Sequence, residues 1–293
     1  MSDIDPVLRQ VNGLVRQSRF PEAIVLLEDL RRAQTEEDPK VLEPLIDLYE
    51  ITGQAEKAEA CFEPPVPPRD LRARVGVPHA ASYHEGGHKS IVDLAAALPD
   101  GAESLASYRH IYDFGCGAGR QVRWLPKFAP EATLYGSDID TESIRWCEEK
   151  MGFAQWRVNE LTPPLPYSEA QFDLVYSLSV FTHLNEDMQF RWLEELQRVT
   201  QPGGVLLLTI HGQKRFEEMA ERDSREIPKE TLDEQGFAFG PYADHREDLY
   251  GEDSGVTFHA HHYVREKWAD FFTIESIISL GLANWQDIVV ARR

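Results

Sequence analysis

Ile111-Tyr112-Asp113-Phe114-Gly115-Cys116-Gly117-Ala118-Gly119-Arg120 is the stretch that decides the fold. An apolar run ends in an acid. Three glycines then alternate with small residues, and a helical pattern follows. Alternating glycines let the backbone turn tightly and let a ligand approach where a Cβ would otherwise stand. A helix that begins there presents its unsatisfied N–H groups to that ligand.

The surroundings extend the reading. About 25 residues on, Leu134-Tyr135-Gly136-Ser137-Asp138 reads as a second strand ending in an acid, roughly where a ribose-binding carboxylate sits in nucleotide-binding folds. Gln171-Phe172-Asp173-Leu174-Val175-Tyr176-Ser177 reads as a fourth strand, and Pro202-Gly203-Gly204 leads into a fifth. A helix is expected from about 89 to 98. Strands are expected near 109–114, 133–138, 154–158, 172–177, 204–210, 272–278 and 285–291, in the alternating rhythm of an α/β domain. Gly115, Gly117 and Gly119 read G-x-G-x-G, whereas the nicotinamide-binding fingerprint is G-x-G-x-x-G.

On these residues, taken in this order, the chain resembles the class I S-adenosylmethionine-dependent methyltransferases over about residues 80 to 293. The resemblance implies an α/β fold: a seven-stranded, mostly parallel sheet with helices on both faces, whose last two strands form an antiparallel hairpin. The expected division is a small all-α helical segment, 1–65, followed by a methyltransferase domain, 66–293, with an insertion at about 212–271. An insertion of that length exceeds a simple connection and is expected to be functional.

Residues 6 to 62 read as helix with one break near Thr35-Glu36-Glu37-Asp38-Pro39. Leu42, Leu45, Tyr49, Gly53, Ala58 and Phe62 recur at spacings that resemble a tetratricopeptide repeat. Arg19-Phe20-Pro21-Glu22-Ala23 is echoed by Gln54-Ala55-Glu56-Lys57-Ala58 about 35 residues later. One and a half to two repeats are fewer than a free solenoid needs. The segment therefore packs on the catalytic domain or on a protein partner; the plainer reading is a helical hairpin that only covers apolar surface. Four prolines within Pro64-Pro65-Val66-Pro67-Pro68 make 63–69 a linker.

Composition narrows the function classes. The 293 residues carry a formal net charge of −20, which opposes nucleic acid as a substrate, because phosphate binding depends on Lys and Arg. Three scattered cysteines, Cys61, Cys116 and Cys147, suggest a reducing compartment without a disulfide framework. No basic–apolar leader and no apolar run of membrane-spanning length is read. The expectation is a soluble, cytoplasmic enzyme with no membrane and no nucleic-acid partner.

The resemblance also implies the cofactor, S-adenosyl-L-methionine, with S-adenosyl-L-homocysteine as product, and it implies roles. The turn through Gly115, Cys116, Gly117 and Gly119 would pass the amino-acid end. Asp113 would stiffen the turn or bind the ammonium. Asp138 would take the ribose hydroxyls, and Ile139 would lie against the adenine. Asn159, in Val158-Asn159-Glu160-Leu161, would meet the adenine edge, with Glu160 and Leu161 alongside. Ser177 and Ser179 would lie beneath the methionyl moiety, and Tyr83 would cover the cofactor. The alternative for Asp113 and Asp138 is a helix N-cap.

Methyl transfer to a hydroxyl needs a base; transfer to a carboxylate does not. Imidazoles are the obvious candidates. His259, in the insertion, is preferred, with His211 after strand five as the second choice; His183 reads as structural. Phe237, Phe239, Tyr242 and Tyr250 would wall an acceptor site. His259 and His261 would share a strand face, with Asp244, His245, Glu247 and Asp248 as further metal ligands, but a solvated acidic loop is the simpler reading and no metal is assigned. Three functions remain: O-methylation of a small molecule or sugar-like metabolite; methylation of a protein or peptide held by residues 1–65; and a binding module without catalysis, which the intact turn and Asp138 oppose.

Overall fold

The computed structural model describes residues 4–34, 38–222, 229–241 and 254–293. They divide into two compact units, Met1–Gly86 and Gly87–Arg293.

The first unit is helical. Helices α1 (Asp5–Arg16), α2 (Phe20–Arg32), α3 (Pro39–Ile51), α4 (Ala55–Glu59) and α5 (Arg69–Arg74) precede α6 (Ala80–Ala97), which begins in this unit and ends in the second. The expected single break is three. Besides the one before Pro39, the chain leaves the helix at Ser18 and at Gly53, both at positive φ (56° and 74°). The two turns repeat one geometry. Arg19 N donates to Leu14 O and Gln54 N to Tyr49 O. Arg19 and Gln54 share φ/ψ of −89°/56° and −95°/50°, and the helix that follows each buries its alanine, Ala23 or Ala58. Sequence missed the first turn because Gln17-Ser18-Arg19 carries neither Gly nor Pro.

Val66, Ala80, Ala81 and Tyr83 bury with Leu27, Leu45 and Ile46 in this unit's core. Arg72 ties the proline-rich stretch down. Its guanidinium donates to the carbonyls of Pro67 and Pro78 and pairs with Glu50. For these reasons the units divide at Gly86/Gly87, later than the expected 65/66.

In the second unit, β1 (His110–Phe114), β2 (Thr133–Asp138), β3 (Ala154–Val158), β4 (Phe172–Ser177), β5 (Thr200–Ile210), β8 (Thr273–Leu282) and β9 (Gln286–Arg292) form one seven-stranded sheet. Its order is β3-β2-β1-β4-β5-β9-β8, and the short α7 (Leu125–Phe128) lies between β1 and β2 in the chain. The first five strands run parallel, and β9 and β8 pair antiparallel. Strand alternation sends Val175, Leu206 and Leu208 to one face, packed with Trp192, Leu193 and Leu196 of α9 (Glu186–Val199). Leu174, Tyr176 and Leu207 face Ile91, Leu94 and Leu98 of α6. Burial on both faces explains the unbroken apolar run of β5.

The insertion has its own architecture. It holds α10 (Gln213–Arg222), α11 (Lys229–Gln235), a β6 (Phe237–Pro241)–β7 (Gly255–His259) antiparallel pair and α12 (His261–Lys267). Phe216, Leu232, Ala238, Val256, Phe258 and Ala260 make a small separate core. The outward amides of β7 stitch it to the carboxyl edge of the large sheet: Gly255 N donates to His183 O, Thr257 N to Thr182 O and His259 N to His211 O. Among the described residues, no helix is long and apolar enough to cross a membrane.

Candidate functional site

Sheet order reverses between β1 and β4, whose neighbours run away on opposite sides. In an open α/β sheet, ligands gather at the carboxyl ends of the strands at such a point. The glycine turn follows β1 directly there.

Gly115, Gly117 and Gly119 all have positive φ, 77°, 51° and 69°. A Cβ on Gly115 would stand 2.3 Å from Val180 Cγ2 in the segment after β4, and one on Gly119 2.3 Å from Met151 Cε. Gly115 and Gly119 therefore satisfy both backbone and space. Gly115 N and Cys116 N donate to Ser137 O at 2.9 and 3.0 Å, so β2 holds the turn.

Asp138 completes that support. Its Oδ2 accepts from Gly117 N at 2.7 Å and its Oδ1 from Asp140 N at 2.9 Å. A carboxylate has about four lone-pair sites, so two remain for ligand hydroxyls. Removal from water lifts its pKa, while these amide bonds oppose the rise. It is not the cap of α8 (Thr141–Lys150): Asp140 is, accepting from Glu142 N and Ser143 N.

Asp113 is 2% exposed, and its Oδ2 has no hydrogen-bond partner. The Tyr176 hydroxyl, buried in the neighbouring strand, has no partner within hydrogen-bond distance but faces that carboxylate. Burial pushes both groups well above their usual values; the Tyr176 hydroxyl opposes the rise at Asp113, and the Asp113 charge adds to the one at Tyr176. An unpaired buried carboxylate is costly, and a cationic ligand donor would relieve it.

The remaining expected contacts fall in several places. Ile139 is half-buried beside Asp138. Asn159 is buried, accepting from Ser137 Oγ and donating to Glu160 O, which leaves one amide hydrogen and one lone pair. Glu160 and Leu161 are exposed. Val158, paired with Asp138 across β2 and β3, is also exposed, and with Leu161 it adds apolar surface that sequence reasoning overlooked. Ser177 is fully buried and donates to Phe114 O, joining β4 to β1. Ser179, at φ 62°, receives Gln286 Nε2 on its Oγ, while its amide donates to Thr209 Oγ1. Tyr83 is fully buried in the core of the first unit.

The histidines require a larger correction. His259, the preferred base, is fully buried between Phe237, Tyr263 and Trp268. Its Nε2 meets Gln189 Oε1 at 2.8 Å. The same amide's nitrogen donates to two carbonyls, which fixes its orientation and puts the histidine proton on Nε2. Burial drives its pKa down to about 3. His259 is a neutral core residue out of an acceptor's reach. His211, 6% exposed, is also driven to about 3, first by burial and then by His183 and Arg215. His259 ends β7 and His261 begins α12, so the two do not share a strand face. Tyr242, Asp244, His245, Glu247, Asp248 and Tyr250 lie outside the described residues. Among the described residues, no group of three or more His, Cys, Asp or Glu is placed to hold a metal.

One feature of the edge was not read from sequence. His261 Nε2 meets Asp287 Oδ2 at 2.6 Å. The histidine is 35% exposed in its side chain and the aspartate 4%. Asp287 also accepts from Leu280 N and touches Gly212, where a Cβ would stand 1.9 Å from Oδ2. No local pattern signals a pair 26 residues apart.

Comparison with known proteins matches residues 112–208 to the family model described as a methyltransferase domain. The tRNA (carboxymethyluridine(34)-5-O)-methyltransferase of Arabidopsis thaliana is 35% identical over 37% of this chain and 25% of its own length. A malonyl-[acyl-carrier protein] O-methyltransferase of Herminiimonas arsenicoxydans is 32% identical over 34% of this chain and 36% of its own. The chain thus spans well under half of these curated relatives. The crystal structure of an S-adenosylmethionine-dependent methyltransferase from Mesorhizobium loti aligns at 19% identity with a TM-score of 0.49, covering 68% of this chain and 95% of that one. The matched span runs from β1 to β5. A tRNA methyltransferase among the similar proteins removes the charge-based exclusion of nucleic acid.

Proposed function

We propose that the chain is an S-adenosylmethionine-dependent methyltransferase acting on an oxygen of a small molecule or sugar-like metabolite. The observation that carries the cofactor half is the pairing of a positive-φ glycine turn with two acids at the point of strand reversal. Asp113, buried and unpaired on Oδ2, suits the ammonium of the cofactor's amino-acid end. Asp138 retains lone pairs for the ribose hydroxyls. Ile139, Val158 and Leu161 offer apolar cover to the adenine, and Asn159 keeps one donor and one acceptor for its edge. When bound, S-adenosylmethionine supplies an electrophilic methyl group on a sulfonium.

Calorimetry with S-adenosylhomocysteine tests this half. Wild-type protein is expected to bind, and Asp138→Ala to lose about 2–3 kcal/mol, the range of hydrogen bonds to a charged group. Equal affinity for the two proteins would remove Asp138 from the site, and no binding by the wild type would defeat the proposal.

A second reading, methylation of a protein or peptide, is favoured by one observation: the helix–turn–helix geometry that recurs at Ser18 and Gly53, as in repeats that grip polypeptides. Labelled cofactor incubated with cell extract separates the two. Label in the small-molecule fraction supports the first reading, and protease-sensitive label in the macromolecular fraction the second.

A further inference from the structure

Methyl transfer to a hydroxyl needs a group to take the acceptor's proton, and neither histidine chosen from the sequence is exposed enough to meet an acceptor. We infer that His261, oriented by Asp287, is that base, and that the acceptor is a small hydroxyl compound with a flat apolar body. The inference rests on the methyltransferase reading above.

Asp287 is buried and ionisable, and its Oδ2 lies 2.6 Å from His261 Nε2. A carboxylate accepts and cannot donate, so the proton of the neutral imidazole sits on Nε2 and the lone pair on Nδ1. The partner behind the ring also fixes its orientation and tautomer, the logic of an Asp–His pair in acyl transfer. His259 differs on each count: its Nε2 faces a neutral amide, and its ring is fully buried.

Asp287 pairs with Ile210 at the carboxyl end of β5 and rests on Gly212. Its neighbour Gln286 donates to Ser179 Oγ. Ser179 precedes Val180, whose Cγ2 fills the space over Gly115. The glycine turn and the His261–Asp287 pair are thus linked through the chain neighbours Ser179–Val180 and Gln286–Asp287 and the Gln286–Ser179 hydrogen bond. Trp285, two residues before Asp287, is 45% exposed, and the Arg215 guanidinium lies 3.1 Å above its ring. The indole, two positions along the chain from the buried acid and with Arg215 over one face, is the flat apolar surface this turn offers an acceptor.

The step balances. The acceptor's O–H proton passes to His261 Nδ1. The acceptor oxygen forms a new O–CH₃ bond as the S–CH₃ bond breaks, and that bond's electron pair stays on sulfur as a neutral thioether. The imidazolium later returns its proton to water.

The test uses the full chain, methyl-labelled S-adenosylmethionine and three probe acceptors: catechol, 4-nitrophenol and hexadecanoate. Label is expected on at least one phenol. His261→Ala and His261→Gln should lower kcat about a hundredfold, the lower range for a general base, with KM for the phenol and affinity for S-adenosylhomocysteine within twofold. Added imidazole should restore part of the rate to His261→Ala and none to wild type, which a structural role would not produce. Asp287→Asn should lower kcat with cofactor affinity kept. Wild-type rates in both His261 variants overturn the assignment, as does label on hexadecanoate alone or on no probe. Failure of the wild type to bind S-adenosylhomocysteine defeats the methyltransferase reading; intact binding with undiminished methylation by His261→Ala removes the base alone.

Discussion

Asp113 is where stability and binding oppose each other most directly. Its carboxyl is buried with Oδ2 lacking a partner within hydrogen-bond distance, and burial, opposed by the Tyr176 hydroxyl and reinforced by the charge of Asp138, lifts its pKa well above the usual range. An acid with a raised folded pKa stabilises the protein fully below its unfolded value, and that contribution is lost as pH rises through the folded one. The ligand-free protein should therefore lose stability with rising pH across that interval. Asp113→Asn, neutral throughout and of the same shape, should remove this dependence. At neutral pH, thermal melts without ligand should show a rise of about 2–4 °C, the shift that 1 kcal/mol gives in a domain of this size. Affinity for S-adenosylhomocysteine should fall about tenfold or more, because a charge-assisted bond is lost. A variant that melts lower and binds normally would show that the carboxylate serves the fold and not the ligand.

At the scale of elements, two glycines at similar φ separate backbone strain from crowding. Gly53, at φ 74°, has open space where a Cβ would go, whereas Gly119, at φ 69°, has Met151 Cε at 2.3 Å and Trp156 at 3.1 Å. Gly53→Ala should cost about 1–2 kcal/mol from left-handed strain alone. Gly119→Ala should cost about 2–4 kcal/mol, with overpacking added. Urea unfolding should report the first in the helical unit's transition and the second in the sheet's. Equal losses would mean that Met151 yields freely. The glycine turn was legible in sequence because its demands are local: φ, spacing, and an acid at each strand end. The seven strands were legible for the same reason, since burial on both faces writes continuous apolar runs. What sequence could not show depends on distant partners. His259 looked accessible because nothing local reveals Gln189 and Trp268 around it. His261 looked like a strand residue because the strand ends where the amide of His259 reaches His211, a contact 48 residues away in the chain. The β6–β7 pair was hidden in a stretch rich in polar and turn residues.

For the whole molecule, the question is where the chain can be cut. The core of Met1–Gly86 includes Val66, Ala80, Ala81 and Tyr83. A fragment 66–293 would strip these residues of Leu27, Leu45 and Ile46 and expose them. Such surface drives association, even in a chain whose net charge of −20 favours solubility. A cut at 86/87 falls between consecutive glycines, where helix continuity is weakest, and keeps β1 to β9 intact. Residues 87–293 should therefore elute as a monomer in size-exclusion chromatography, whereas 66–293 associates. The shorter fragment also decides the role of Tyr83, the one residue expected at the cofactor from the sequence that belongs to the first unit. If its ring is only a core side chain, 87–293 should bind S-adenosylhomocysteine within about threefold of the full chain, less than the 1.4 kcal/mol of a tenfold change. A folded, monomeric 87–293 that binds ten times more weakly would return Tyr83 to the cofactor site. The helical unit would then be part of the binding machinery and not only a candidate surface for a polypeptide.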